Sequence, residues 1–265
     1  MAVDVLISEG SAQDRLNQDH LDQDHLDQDH LDQDHLDQDH LDQDHLNQDH
    51  APARPVVAVH RVQRPTLVLG STQPTDLVVD ASSPAREGWE VARRRSGGGL
   101  VVLLPGHGVW VDVFVPASHP RWDPDVNHAF HWLGHVLAAI LTPLRQRTSA
   151  ALPIVHTGPL LGGAAGRLYC FAGLGPGEVV VPDPDGGPRK VIGISQRRSR
   201  AGARFQCLLA LRHEPTPALA LISDSHRAAM EQAMRATTAG WPPGEPLPTA
   251  GELETIIVEA LTHAL

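Results

Sequence analysis

With 265 residues, 41% of them hydrophobic, the chain can bury the core of one or two domains and is too apolar for wholesale disorder. Its formal charge of −11 is concentrated in one place: residues 16–50 hold twelve aspartates and no Lys or Arg, and the remainder sets twenty acids against twenty-one bases. The near-neutral body argues against a general nucleic-acid surface, no apolar run is long enough to cross a bilayer, and no basic-then-apolar leader opens the chain, so the expected location is the cytoplasm.

Val3, Val5 and Ile7 recur at every second position, as in a half-buried strand. Residues 8–12 then lead into a helix that enters seven near-identical Leu-Asp-Gln-Asp-His pentads at 16–50. A five-residue period advances the leucines by about 140° per pentad on a helix, so no apolar stripe forms. One leucine in five also buries too little surface to offset ordering. The pentads read as a solvated, partly helical or disordered expansion without a catalytic role, interrupting a single domain over residues 1–265.

After the Pro-containing linker at 51–55, short β-rich runs are expected at 56–60, 66–69, 89–92, 100–104 and 109–115. Asp123 followed by Pro124 marks a helix start, and Ala129, Phe130, Leu133, Val136, Leu137, Ile140 and Leu141 then share one face with Val126. Further strands are expected at 167–171, 178–181, 190–195 and 205–211, separated by Gly/Pro turns. A second helix is expected over 224–240. A third opens with the Thr249-Ala-Gly-Glu252 capping box and should bury Leu253, Ile256, Ile257, Ala260 and Leu261. Hairpin-rich strands with few, separated helices predict an α+β, mixed α/β fold and disfavour a doubly wound one.

Three segments could carry chemistry. Arg93-Arg-Arg-Ser-Gly-Gly-Gly99 lies between two strand-like runs; its glycines let backbone N–H groups approach an anion, and its arginines supply planar forks. It is neither a Walker A loop nor a dinucleotide fingerprint. The second segment starts at Lys190, the one lysine beside twenty arginines, and runs Lys-Val-Ile-Gly-Ile-Ser-Gln-Arg-Arg to residue 198. A compact, titratable ammonium does what a guanidinium cannot. The third is Leu67-Val-Leu-Gly-Ser-Thr-Gln73.

In that order the three resemble the motifs of the lipoate–protein ligase A family, within the biotin/lipoate ligase superfamily, over residues 56–211. The resemblance implies a central mixed sheet flanked by helices. It also implies activation of lipoate or octanoate by ATP and Mg²⁺ to an acyl-adenylate, then transfer to a lysine of a lipoyl carrier domain of the 2-oxoacid dehydrogenase or glycine cleavage type. An accessory subunit, separate from this chain, is a further implied partner; a membrane and nucleic acid are not. Carried over by position, Arg94 meets the adenylate phosphate. Ser96, Gly97, Gly98, Gly99, Leu100, Val101 and Val102 wall the acyl-adenylate pocket. Lys190 binds the reacting oxygens, Ser195 lies beside the nucleotide and Gln73 lies near the pocket floor.

Where many ligases continue the Gly-rich turn with Phe-His and later Gly-Asn, this chain has Leu-Val-Val-Leu-Leu-Pro-Gly-His-Gly, which leaves His107 as the only polar side chain nearby. Two other readings therefore stand beside a ligase. One is an octanoyl or lipoyl transferase acting through a cysteine thioester without ATP, with Cys207 preferred over Cys170 as nucleophile; the other is a non-catalytic acyl-binding homologue. The two cysteines show no CxxC spacing and read as reduced thiols. His128, His131 and His135 share a helix face without a carboxylate to complete a metal site, so no metal-ligating residues are expected.

Overall fold

A computed structural model describes residues 2–8, 54–146, 150–183, 187–246 and 248–265; the pentads and the helix expected before them lie outside the described residues. Ten strands follow in chain order: β1 (Asp4–Ser8), β2 (Val56–His60), β3 (Thr66–Leu69), β4 (Glu90–Arg93), β5 (Val101–Leu103), β6 (Gly108–Pro116), β7 (Ile154–Val155), β8 (Val179–Pro182), β9 (Pro188–Arg198) and β10 (Gly202–Ala210). They form a seven-stranded sheet ordered β1-β2-β6-β10-β9-β8-β7 and a three-stranded sheet ordered β4-β3-β5. β1 with β2 and β3 with β4 pair in parallel, the remaining pairs antiparallel, so the fold is α+β with mixed sheets.

The period of two in β6 decides what covers the large sheet. Val109, Val111, Val113 and Val115 face one side, where they join Phe205, Leu209, Ile192 and Ile194 in a core closed by helices α1 (His131–Gln146) and α4 (Ala250–Ala264). Leu133, Leu141, Leu253 and Leu261 are fully buried there. Trp110 and Asp112 point to the other side. Register places Trp110 beside His60 and Leu208, Asp112 beside Ala58 and Gln206, and Ser195 beside Gln206. The small sheet, α2 (Gly163–Leu168) and α3 (Asp224–Arg235) close that side around Leu67, Leu69, Leu100, Phe171 and Met230.

Four expectations need correction. The 123–124 helix start gives way to a later one: Asp123 accepts the Asp125 N–H at 2.8 Å, and Asp125 accepts those of Asn127 and His128 at 2.7 and 3.0 Å. These local turns compete with helix, which begins only as a 3₁₀ turn at His128–Phe130 and leaves Val126 exposed. The strand expected at 167–171 is instead the end of α2, one bridge from Tyr169 to Leu100, and a 3₁₀ turn at Cys170–Ala172. α3 stops at Arg235, short of Gly240. In α4 the capping box is present, but Ile256 is 39% exposed because the helix shows the sheet its Leu253, Ile257 and Leu261 stripe.

Candidate functional site

Two loops meet backbone to backbone where the small sheet opens. A Cβ on Gly70 would lie 1.9 Å from the Gly98 carbonyl oxygen, and one on Gly99 would lie 2.7 Å from both the Cys170 nitrogen and the Gly166 oxygen. Only glycine permits this approach. Gln73 locks the crossing: its Oε1 accepts the Gly70 N–H at 2.9 Å, and its Nε2 donates to the Leu168 oxygen at 2.9 Å. Arg93 reinforces the turn from Nη1, which donates to the carbonyls of Gly70 (2.9 Å) and Gln73 (2.6 Å). Gln73 thus fastens the wall of the site and is itself spent on backbone.

Arg94, 6% exposed, reaches across to β9. Its Nη1 donates to Ser195 Oγ at 2.7 Å and its Nη2 to the Gly99 oxygen at 2.9 Å, while Nε is buried without a hydrogen-bond partner. Ser96 Oγ donates to Gln206 Oε1 at 2.7 Å and sits 3.0 Å from Ser195 Oγ. Arg94, Ser195 and Gln206 form the polar end of a narrow cleft, partly open to solvent. Val68, Val101, Leu103, Trp110 and Phe171 supply its apolar walls. A polar head beside an apolar trough suits an anion joined to an aliphatic chain.

Of the three apolar residues after the glycines, only Val101 faces this cleft. Leu100 is fully buried in the neighbouring core, and Val102 lines an adjoining cleft together with His107. His107 Nδ1 is buried without a partner. Leu103, Phe171 and Leu208 are shared by both clefts.

Lys190 opens the buried half of β9, and its ammonium contacts two residues of the cleft wall, Cys170 and Phe171. Nζ makes an ion pair with Glu178 Oε2 at 2.7 Å and donates to the carbonyls of Cys170 and Gly173 at 3.0 Å each. Phe171 stacks over it, with 5.0 Å from Nζ to the ring centroid. Three donors therefore meet three acceptors, so a lysine with a 5% exposed side chain leaves no N–H unsatisfied.

The two thiols separate clearly. Cys207 borders the cleft, but its side chain belongs to the helix-covered core, and burial, helped by the Asp112 charge, pushes its thiol well up. A nucleophile needs the opposite shift, so the preference for Cys207 is overturned. Cys170 is half-buried, lines the cleft and lies on the turn that Lys190 holds.

Sequence reasoning missed Gln206, Glu178 and a third buried polar group. Asp112 accepts Trp110 Nε1–H at 2.9 Å and Arg204 Nε–H at 2.8 Å, and pairs with His60 Nε2 at 3.2 Å. Burial raises the Asp112 carboxyl, but Arg204 and His60 outweigh it and hold the group at about 2. The available signal was a polar residue within an apolar strand: Asp112 among valines, Gln206 between Phe205 and Cys207. The rings of His128 and His131 lie 5.5 Å apart, yet among the described residues no three His, Cys, Asp or Glu side chains are grouped to hold a metal ion. No described helix is long and apolar enough to cross a membrane.

A model of the lipoyl protein ligase A/B catalytic domain matches residues 37–237. Among solved structures, a bi-partite lipoate protein ligase from Thermoplasma acidophilum, studied with its E2 lipoyl domain, aligns with a TM-score of 0.62 and 14% identity, covering 100% of this chain and 84% of that one. A putative lipoate protein ligase from T. acidophilum with bound lipoic acid aligns at 0.63 and 13% identity, covering 100% and 86%. A lipoate-protein ligase A bound with ATP aligns at 0.59 and 12% identity, covering 100% and 85%. At these identities the structural likeness speaks to the fold. No curated protein matches the sequence.

Proposed function

The chain belongs to the lipoyl protein ligase A/B catalytic-domain family, and on that premise we propose that it activates lipoate or octanoate with ATP as an acyl-adenylate and passes the acyl group to a lysine of a lipoyl carrier domain. The observation that carries this reading is the cleft itself: a buried arginine with a free Nε at the polar end of an apolar trough, one wall of which, Phe171, packs on the only lysine. In the first step a carboxylate oxygen attacks the α-phosphorus and pyrophosphate leaves. In the second the carrier amine attacks the acyl carbon, AMP leaves and the amine loses a proton.

Arg94 and the N–H groups of Gly97, Gly98 and Gly99 would meet the phosphate oxygens, with Ser96 and Ser195 orienting the guanidinium. Val101 would lie along the acyl chain, with Leu100 and Val102 backing it. Lys190 would meet the reacting oxygens after giving up the Cys170 and Gly173 carbonyls. Lipoate and ATP each appear in a structure of similar fold, and the buried free Nε fits an anion. Among the described residues no three His, Cys, Asp or Glu side chains are grouped, so no Mg²⁺ ligand is assigned and no step here runs through that ion. The whole chain would act as one domain carrying the 16–50 repeat, in the cytoplasm, with or without an accessory subunit. Lipoate- or octanoate-dependent exchange of pyrophosphate into ATP tests the first step; no exchange with either acid, over a range of Mg²⁺, would sink it.

One observation favours a second reading, transfer from an acyl thioester: Cys170 lines the cleft on the turn bound to Lys190. That reading predicts an acyl adduct, found by peptide mass after mixing with an acyl carrier without ATP, that is lost in Cys170→Ser and kept in Cys207→Ser.

A further inference from the structure

A buried ammonium must keep a counter-ion, and the three partners of Lys190 differ in charge: two are neutral carbonyls and one is a carboxylate. The carbonyls of Cys170 and Gly173 belong to a short 3₁₀ turn and its end. The Glu178 carboxylate is fixed from both sides: Oε2 accepts the Gly175 N–H at 2.6 Å, and Oε1 accepts the Ile194 N–H at 3.1 Å. One oxygen is thus tied to the loop before β8 and the other to β9. The β8–β9 ladder slips at Val179/Val180, and Val180, not Val181, stands opposite Lys190. This local irregularity lies beside the carboxylate that ties the loop before β8 to β9.

Phe171 lines the cleft, and its ring centroid lies 5.0 Å from Nζ. A substrate oxygen would take the place of the two neutral carbonyls and not of the Glu178 carboxylate, whose two oxygens are each held by a backbone N–H. We propose that Glu178 is a positioning residue of the site, the fixed partner that holds the Lys190 ammonium in place while its two carbonyl partners are exchanged for substrate oxygens. The proposal rests on the acyl-activating reading above. It assigns Glu178 no contact with substrate.

Because the chain has one lysine, acetylation by an amine-selective reagent, mapped by peptide mass, reads that side chain alone once the N-terminus is set aside. In the full chain at fixed pH and well below the unfolding midpoint, Glu178→Gln should raise the labelling rate of Lys190 at least tenfold. The same variant should lower kcat for acyl transfer about a hundredfold while KM for ATP stays within threefold. Glu178→Asp keeps the charge but draws it back by one methylene, and should fall between wild type and Glu178→Gln in both measurements. A purely structural role would lower the unfolding temperature and leave labelling of the folded protein unchanged, which would overturn the proposal. If Glu178→Gln does not fold, a labelling rate and kcat in Glu178→Asp equal to wild type would overturn it too. Faster labelling in a protein whose wild type transfers no acyl group upholds the Glu178–Lys190 coupling and removes the acyl-activating reading. An active wild type with both rates unchanged in Glu178→Gln does the reverse.

Discussion

The two faces of the seven-stranded sheet are made from alternate residues of the same strands, yet they follow different rules. Val109, Val111 and Val113 look toward α1 and α4 into a core of aliphatic and aromatic groups. One residue along, Trp110 and Asp112 look toward the small sheet, across from His60, Gln206 and Arg204. The first face gains by removing apolar area from water, a term that tolerates many sequences. The second buries polar groups that must each find a partner, at a cost if they fail. Stability can therefore be lost from the first face without touching chemistry, while the second couples both.

The largest expected effect separates the faces most sharply. Lys190→Met should reduce acyl transfer by about 10²–10³-fold per folded molecule, since it removes the one ammonium from the site. Unpaired Glu178 should also lower the unfolding midpoint, so activity is best normalised to the folded fraction by circular dichroism. Leu133→Ala, a fully buried change on the helix side, should cost about 2–5 kcal/mol in denaturant unfolding. Its specific activity should stay near wild type; a loss comparable to that of Lys190→Met would erase the distinction between the faces.

Acid sharpens the same comparison. The Asp112 carboxyl sits at about 2 in the folded protein, below the roughly 3.9 of an unfolded aspartate. Its contribution, about 2–3 kcal/mol, is present above pH ~4 and lost as pH falls through ~2. Asp112→Asn should flatten the stability-against-pH curve in that window, and a curve parallel to wild type would remove the polar cluster from the account. The smallest effect belongs to the helix layer. The Thr249 hydroxyl caps α4 by accepting the Glu252 N–H at 3.2 Å, so Thr249→Ala should cost about 1 kcal/mol with activity unchanged.

Much of this architecture was legible in the sequence. Val56–His60 and Thr66–Leu69 are strands with the expected bounds, and the Thr249–Glu252 capping box opens α4 as its spacing implied. Arg94, Ser195 and the glycines, over ninety residues apart in the chain, do come together. What escaped depends on tertiary contact. Residues 167–171 carry strand-like composition, but Leu100 and Gln73 bind that segment's backbone as turn and helix end. Cys207 looked the better nucleophile than Cys170 because alternation reveals that a strand has two faces, not which one meets the cleft. Glu178, beyond a Gly-Pro-Gly turn, had no local mark of its bond to Lys190.

The claim that the polar face performs acyl transfer is met most directly by the intact mass of a lipoyl carrier domain after incubation with the full chain, ATP and lipoate or octanoate. The wild-type chain should add the mass of one acyl group in an ATP-dependent way. Arg94→Lys, which keeps the charge but loses the planar fork that spans Ser195 and Gly99, should add almost none. Equal addition by both proteins, or none by the wild type across several carrier domains and both acids, would contradict the account.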